Sequence, residues 1–165
     1  MLKIRYYINT LTILLSTPSE ETLISDGSAV VVWAKKRFEH VGIFGVSLGS
    51  GVAVGVAARG APVDVVALGT PYDRMDKVGA DHMPWAWPEL LMEDRFISAE
   101  RIQKITQPLF VLAAAQDEVI SPARTQALKS AARGRGSWSV LPGGHGTMWK
   151  DPRACAWLRK VSALR

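Results

Sequence analysis

Three short stretches of this chain hold the residue types that acyl-transfer chemistry needs. Residues 45 to 49 read Gly45-Val46-Ser47-Leu48-Gly49, with the apolar run Val41 to Phe44 before them and the small-residue stretch Gly49 to Ala58 after them. This pattern predicts a strand turning sharply into a helix. A serine on such a turn takes a strained backbone conformation, so the positions two residues to either side are expected to lack side chains, and both are glycine. A hydroxyl is a poor nucleophile at its own pKa. It needs a base within hydrogen-bond reach, itself oriented by a third group.

The chain has three histidines. His145 stands in Pro142-Gly143-Gly144-His145-Gly146, a flexible loop directly after a predicted strand, where an imidazole can reach over a sheet edge. His40, at a helix-to-strand junction, and His82, in a proline-rich stretch, read as surface or locally satisfied imidazoles. Asp117 follows the apolar run Leu109 to Ala114 in Ala115-Gln116-Asp117-Glu118-Val119-Ile120, and an acid just past the carboxyl end of a parallel strand points into the crevice of an open sheet. Ser47, Asp117 and His145 each fall on a loop after a strand. They follow one another in an order used by nucleophile, acid and base.

The same glycines also spell a G-x-x-x-G-x-G loop, Gly45 to Gly51, of the kind that can hold a dinucleotide pyrophosphate. That alternative needs an acid or basic residue at the end of the next strand to grip the ribose, but Val63 to Leu68 ends in Gly69-Thr70. Tyr72 has Asp76 rather than a lysine four residues later. No cofactor and no metal is expected.

The elements that must position these residues follow from hydrophobic pattern and punctuation. Thr17-Pro18-Ser19-Glu20 predicts a helix start, with a hydroxyl cap, proline at the first helical position and glutamate at the third. The helix is expected to run to about Phe38 and to bury Leu23, Gly27, Val30, Ala34 and Phe38. Strand Val41 to Val46, helix Gly49 to Arg59 with Gly60 as its stop, and strand Val63 to Leu68 come next. Residues 70–107 break the rhythm with Pro71, Pro84 and Pro88 and the cluster Met83-Pro84-Trp85-Ala86-Trp87-Pro88, and are expected to form a cap or crossover insert within one domain, 1–165. Strand Leu109 to Ala114, helix Pro122 to Ala132, strand Ser137 to Leu141 and a last helix from Asp151 complete the chain. The fold class is α/β, with a mostly parallel sheet covered by helices on both faces.

Composition sets the outer bounds. At 165 residues the chain is one domain by size, able to bury roughly 70% of its unfolded surface. The net charge of +5 comes from scattered residues such as Lys35, Lys36, Arg37, Arg133 and Arg135, which predicts a solvated face rather than a nucleic-acid patch. The single cysteine, Cys155, is expected to be a small buried or half-buried residue. No segment reaches the roughly 18 to 20 uninterrupted apolar residues of a membrane span, and a cytoplasmic protein is expected.

With these residues placed, the chain resembles the alpha/beta-hydrolase superfamily, and most of all its serine aminopeptidase-like and abhydrolase-domain branch. The likeness covers residues 17–165. It rests on Pro18-Ser19-Glu20-Glu21 with Leu23, Asp26 and Trp33, on Gly45 to Gly51, on Pro84-Trp85 and Leu90-Leu91, and on Asp94-Arg95-Phe96-Ile97-Ser98. Ile105 with Pro108, Asp117-Glu118-Val119-Ile120 with Pro122, and Gly143-Gly144-His145 complete it. The resemblance implies a serine hydrolase acting on a small-molecule ester, thioester or amide, with Ser47 as nucleophile, His145 as general base, Asp117 as its orienting acid and the Leu48 amide as an oxyanion donor. Met83, Trp85 and Trp87 could line an apolar acyl pocket, or else simply pack the insert.

The front does not match that branch. Its Arg-Gly-Tyr-Gly stretch is replaced by Asn9-Thr10-Leu11-Thr12-Ile13-Leu14-Leu15-Ser16. Four strands and a helix, one of them followed by a His-Gly-x motif bearing the second oxyanion donor, need roughly 55 residues. Only 17 residues precede Pro18. The sequence therefore suggests the carboxyl-terminal two thirds of a hydrolase, with Met1 to Leu15 as a substitute strand. Impaired turnover or a non-catalytic interaction role, and a homodimer through an exposed sheet edge, would follow.

Overall fold

The computed structural model describes residues 18–163. Helix α1 (Glu20–Lys35) leads into β1 (Gly42–Val46), α2 (Leu48–Ala58) and β2 (Val65–Gly69). Short helices α3 (Met75–His82), α4 (Pro88–Leu91) and α5 (Ser98–Arg101) follow, with 3-10 turns at Pro84–Ala86 and Ile102–Lys104. Strand β3 (Leu109–Ala114), α6 (Pro122–Ala131), β4 (Ser137–Leu141), a 3-10 turn at Thr147–Lys150 and α7 (Pro152–Ser162) close the order. The expected front strand Met1 to Leu15 lies outside the described residues.

The strands form a parallel sheet in the order β1-β2-β3-β4, with Gly45 beside Leu68, Leu68 beside Val111 and Val111 beside Trp138. Because all run the same way, Val46, Gly69, Ala114 and Leu141 end at one rim, where the loops of an open sheet carry function. Alternate side chains serve opposite faces. Ile43, Val66, Leu68, Leu109 and Val111 join one core with α1, α2 and α6, while Phe44, Ala67, Phe110, Leu112 and Ala114 join another with α7. Helices thus cover both faces, as the continuous apolar strands require.

Helix α1 departs from the expectation in two ways. Its N-cap is Ser19, whose hydroxyl accepts from the Thr22 amide while the Thr22 hydroxyl accepts from the Ser19 amide, so the capping box closes on Thr22 rather than on Glu20. Its buried stripe is Ile24, Gly27, Val31 and Ala34, one position round from the predicted Leu23 and Val30. Val30 is exposed. The partner helix selects this stripe: the Ile24 side chain fills the space a Gly55 methyl would need, and the Val56 side chain does the same opposite Gly27. The helix also ends at Lys35, short of Phe38. Cys155 is exposed on α7, whose buried face is Ala154, Trp157 and Val161.

Residues 70–107 are anchored at two places. At the start of α1 the Glu20 amide donates to Asp94 Oδ1 at 2.8 Å, and the Glu20 carboxylate accepts from the Phe96 amide at 2.7 Å and pairs with Arg101. At the other end Arg124 of α6 lies 3.4 Å from Asp73 and 3.2 Å from Asp81, Ser121 donates to Asp81, and His82 Nε2 bonds the Val119 carbonyl oxygen at 2.8 Å. Two stretches far apart in sequence, Ser19-Glu20 and Asp94 to Phe96, thereby meet.

Candidate active site

Ser47 sits between β1 and α2 with φ 53° and ψ −125°, a strained conformation for a residue with a side chain. Its amide donates to the Gly69 carbonyl at 3.0 Å, and its carbonyl accepts from both the Ser50 amide (2.8 Å) and the Ser50 hydroxyl (2.6 Å). A methyl group at Gly45 would lie 2.6 Å from the Gly49 carbonyl carbon, closer still to its oxygen, and 2.9 Å from Ala53 Cβ. Backbone cannot yield there. At Gly49 a methyl group would meet nothing within 4 Å, so the turn itself demands glycine on one side only.

Tyr72 lies fully buried beneath α2 and donates to the Leu48 carbonyl at 3.3 Å, with Gly51 leaving room for its ring. Burial, aided by the charge of Glu20, pushes its phenol far above the ordinary range, so it stays a neutral donor. Leu48 is the first residue of α2, and its amide has no carbonyl partner within the helix. Together with the helix dipole, that amide marks the place beside Ser47 where negative charge is favoured.

His145 and Asp117 come from the loops after β4 and β3. His145 Nε2 is 3.0 Å from Ser47 Oγ, and His145 Nδ1 is 3.0 Å from both Asp117 oxygens. A carboxylate only accepts, so Nδ1 carries the proton and Nε2 offers its lone pair to the serine hydroxyl. Asp117 is buried, and its Oδ1 also accepts from the amides of Val119 (2.9 Å) and Ile120 (2.8 Å), which fixes the carboxylate plane. Around this pair the two loops are laced together. Ala115 donates to the Leu141 carbonyl, Gln116 donates to the Gly143 carbonyl and accepts from the Gly143 amide, and Glu118 accepts from the His145 amide at 2.9 Å. Gly143, at φ 108°, makes the turn that returns His145 over the sheet. Beyond it the Trp149 ring fills the space against Gly69 and packs edge-on to Phe44, 6.0 Å between centroids.

No family model matches the chain. The chain is similar to an uncharacterised protein of Mycobacterium tuberculosis strain H37Rv, 34% identical over 133 residues, and spans about half of that protein's length (78% of this chain, 47% of the relative). It is similar to the lysophosphatidylserine lipase ABHD12 of Danio rerio, 28% identical over 123 residues, 63% of this chain and 32% of that one. In structure it is similar to the Pyrococcus furiosus esterase Pf2001, with a TM-score of 0.67 at 18% identity over 91% of this chain and 63% of that one. The fold is that of the alpha/beta-hydrolases.

Within the alpha/beta-hydrolase fold the three residues singled out from sequence meet in one hydrogen-bonded row, Asp117 to His145 to Ser47. His40 and His82 stay apart from it: His40 lies beside Glu39 and Asp64, and His82 on the Val119 carbonyl. Met83, Trp85 and Trp87 are 48%, 78% and 68% exposed, so they do not pack the interior of the insert. Sequence reasoning missed Ser50, Tyr72, Gln116 and Glu118 as supports of the site. Ser50 follows the Gly45 to Gly49 turn and Glu118 follows Asp117, but residue type at those positions carries no signal until the loops are brought together. Among the described residues no group of three or more His, Cys, Asp or Glu could hold a metal ion, and no helix is long and apolar enough to cross a membrane.

Proposed function

We propose that this chain is a serine hydrolase of the serine aminopeptidase-like and abhydrolase-domain branch, cleaving an ester, thioester or amide through an acyl-Ser47 intermediate. The observation that carries this reading is the His145 ring held between Asp117 and Ser47 at 3.0 Å on each side. His145 Nε2 takes the Ser47 proton as Oγ attacks the acyl carbon; Asp117 steadies the imidazolium that results; the Leu48 amide meets the oxyanion. His145 then returns the proton to the leaving group. A water activated by the same nitrogen releases the acid and restores Ser47.

Residues 70–107 act as a cap, and its exposed Met83, Trp85 and Trp87 offer apolar surface to an acyl chain. The likeness to a lysophosphatidylserine lipase supports an acyl ester within the substrate class. A rival reading keeps the fold without turnover: one oxyanion donor, Leu48, is assigned among the described residues, and loss of one donor typically costs about 100- to 1000-fold in turnover. The test is fluorophosphonate labelling together with hydrolysis of short p-nitrophenyl esters. Labelling and a rate that both vanish in Ser47→Ala support the hydrolase; a wild-type chain that neither labels nor turns over supports the non-catalytic module.

A further inference from the structure

Two neighbouring acids reach the same histidine by different routes. Asp117 holds the ring of His145 and Glu118 holds its main chain, accepting the His145 N–H at 2.9 Å. The exposed Glu118 carboxylate also lies against Gly144. A methyl group at Gly144 would lie 3.0 Å from Glu118 Cδ, and closer still to Oε2, so the carboxylate occupies the space that the missing side chain leaves. The Glu118 carboxyl is held below its ordinary value, first by the His145 backbone N–H and then by its own amide, which favours the charged acceptor. With Gln116 on the Gly143 amide, three successive side chains hold this loop at the Gly143 amide, the His145 ring and the His145 amide.

We infer that Glu118 is a positioning residue for the general base, fixing the main chain from which the imidazole reaches Ser47; this rests on the hydrolase reading. The loop around His145 carries glycines at 143, 144 and 146, so its backbone is free to adopt many conformations unless held. Asp117 alone fixes the ring's distance from the acid but not the origin of the side chain. A small displacement of that origin lengthens the 3.0 Å bond from Nε2 to Ser47 Oγ, on which proton transfer depends.

The test compares Glu118→Ala, which removes the acceptor, with Glu118→Gln, which keeps an acceptor oxygen. Glu118→Ala is expected to slow fluorophosphonate labelling about tenfold, mainly through kcat rather than KM on p-nitrophenyl esters, while Glu118→Gln recovers to within about threefold of wild type. Labelling of Glu118→Ala within about twofold of wild type, or an equal loss in both variants, overturns the inference. Gly144→Ala probes the contact from the other side. It should slow labelling in the wild-type background and add nothing in Glu118→Ala, whereas additive losses refute the contact. If wild type does not label at all, the hydrolase reading fails, and amide hydrogen exchange at His145 decides Glu118 by itself. Faster exchange in Glu118→Ala that returns in Glu118→Gln upholds the positioning role; equal exchange in all three chains overturns it.

Discussion

Asp117→Asn isolates the tautomer on which the proposed chemistry depends. The substitution hardly changes shape, and the site dictates which way the new amide points. Val119 and Ile120 both donate backbone N–H bonds to Oδ1, at 2.9 and 2.8 Å, so the amide oxygen must take that place and the amino group the place of Oδ2. Both Oδ1 and Oδ2 lie 3.0 Å from His145 Nδ1, so in the variant the amide oxygen, already shared by two backbone N–H groups, is the one acceptor left to Nδ1, while an amino group in the place of Oδ2 sets donor against donor. Moving the ring proton to Nε2 relieves that clash, and it costs the lone pair that must accept from Ser47. A wrong tautomer of this kind is expected to lower turnover by about 10⁴, equal to about 5.5 kcal/mol of barrier. Because both backbone bonds survive, Tm should move by no more than about 3 °C for a domain of this size. Labelling rates and ester turnover at neutral pH, with Tm measured on the same preparation, decide the matter. A variant that labels within about tenfold of wild type at an unchanged Tm would refute the assigned proton positions.

Two further substitutions address the frame around the site. Gly45→Ala drives a methyl group into the Gly49 carbonyl and Ala53, and should cost at least about 1–3 kcal/mol and abolish labelling; Gly49→Ala, in the first turn of α2, meets no atom within 4 Å beyond its own helix backbone and neighbours and should unfold at or above the wild-type temperature. Equal Tm values for the two would show that the elbow is not built as described. In the insert, burial raises the Asp76 carboxyl, but the hydrogen bond and charge of Arg74, the Lys77 amide and the charge of Arg95 outweigh it, so Asp76 ends below its ordinary value. A carboxyl depressed in the folded state contributes stability that is present above its unfolded pKa of about 3.9 and is lost as pH falls through the folded value. Tm should therefore drop below about pH 4 in wild type, and the drop should be shallower in Asp76→Asn; parallel profiles would sink the assignment.

Much of this site is legible in the sequence because its signals are local. Gly45 to Gly49 announce the sharp strand-to-helix turn, and strands β3 and β4 fall where their apolar runs stop, which places Asp117 and His145 on the same rim as Ser47. What failed depends on partners. The stripe on α1 was chosen by Gly55 and Val56 of a neighbouring helix, whose shape a helical period does not reveal. The same holds for Cys155: its helix carries Ala154 and Ala156 on either side, and only the docking of Trp157 and Val161 decides which faces water. Glu118 was visible as part of Asp117-Glu118-Val119-Ile120, yet its role exists only because a loop 27 positions later folds back onto it.

The sheet order carries a consequence for how such a site comes apart. Asp117 and His145 follow adjacent strands and are 28 positions apart, whereas His145 and Ser47 are 98 positions apart and meet across the ends of β2 and β3. The first pair closes a short loop and the second a long one, and the longer closure costs more chain entropy, while surface loops open before core strands do. On the proposed chemistry, labelling of Ser47 is then a more demanding gauge of nativeness than helix content: a preparation can keep its circular dichroism after Ser47 and His145 have parted.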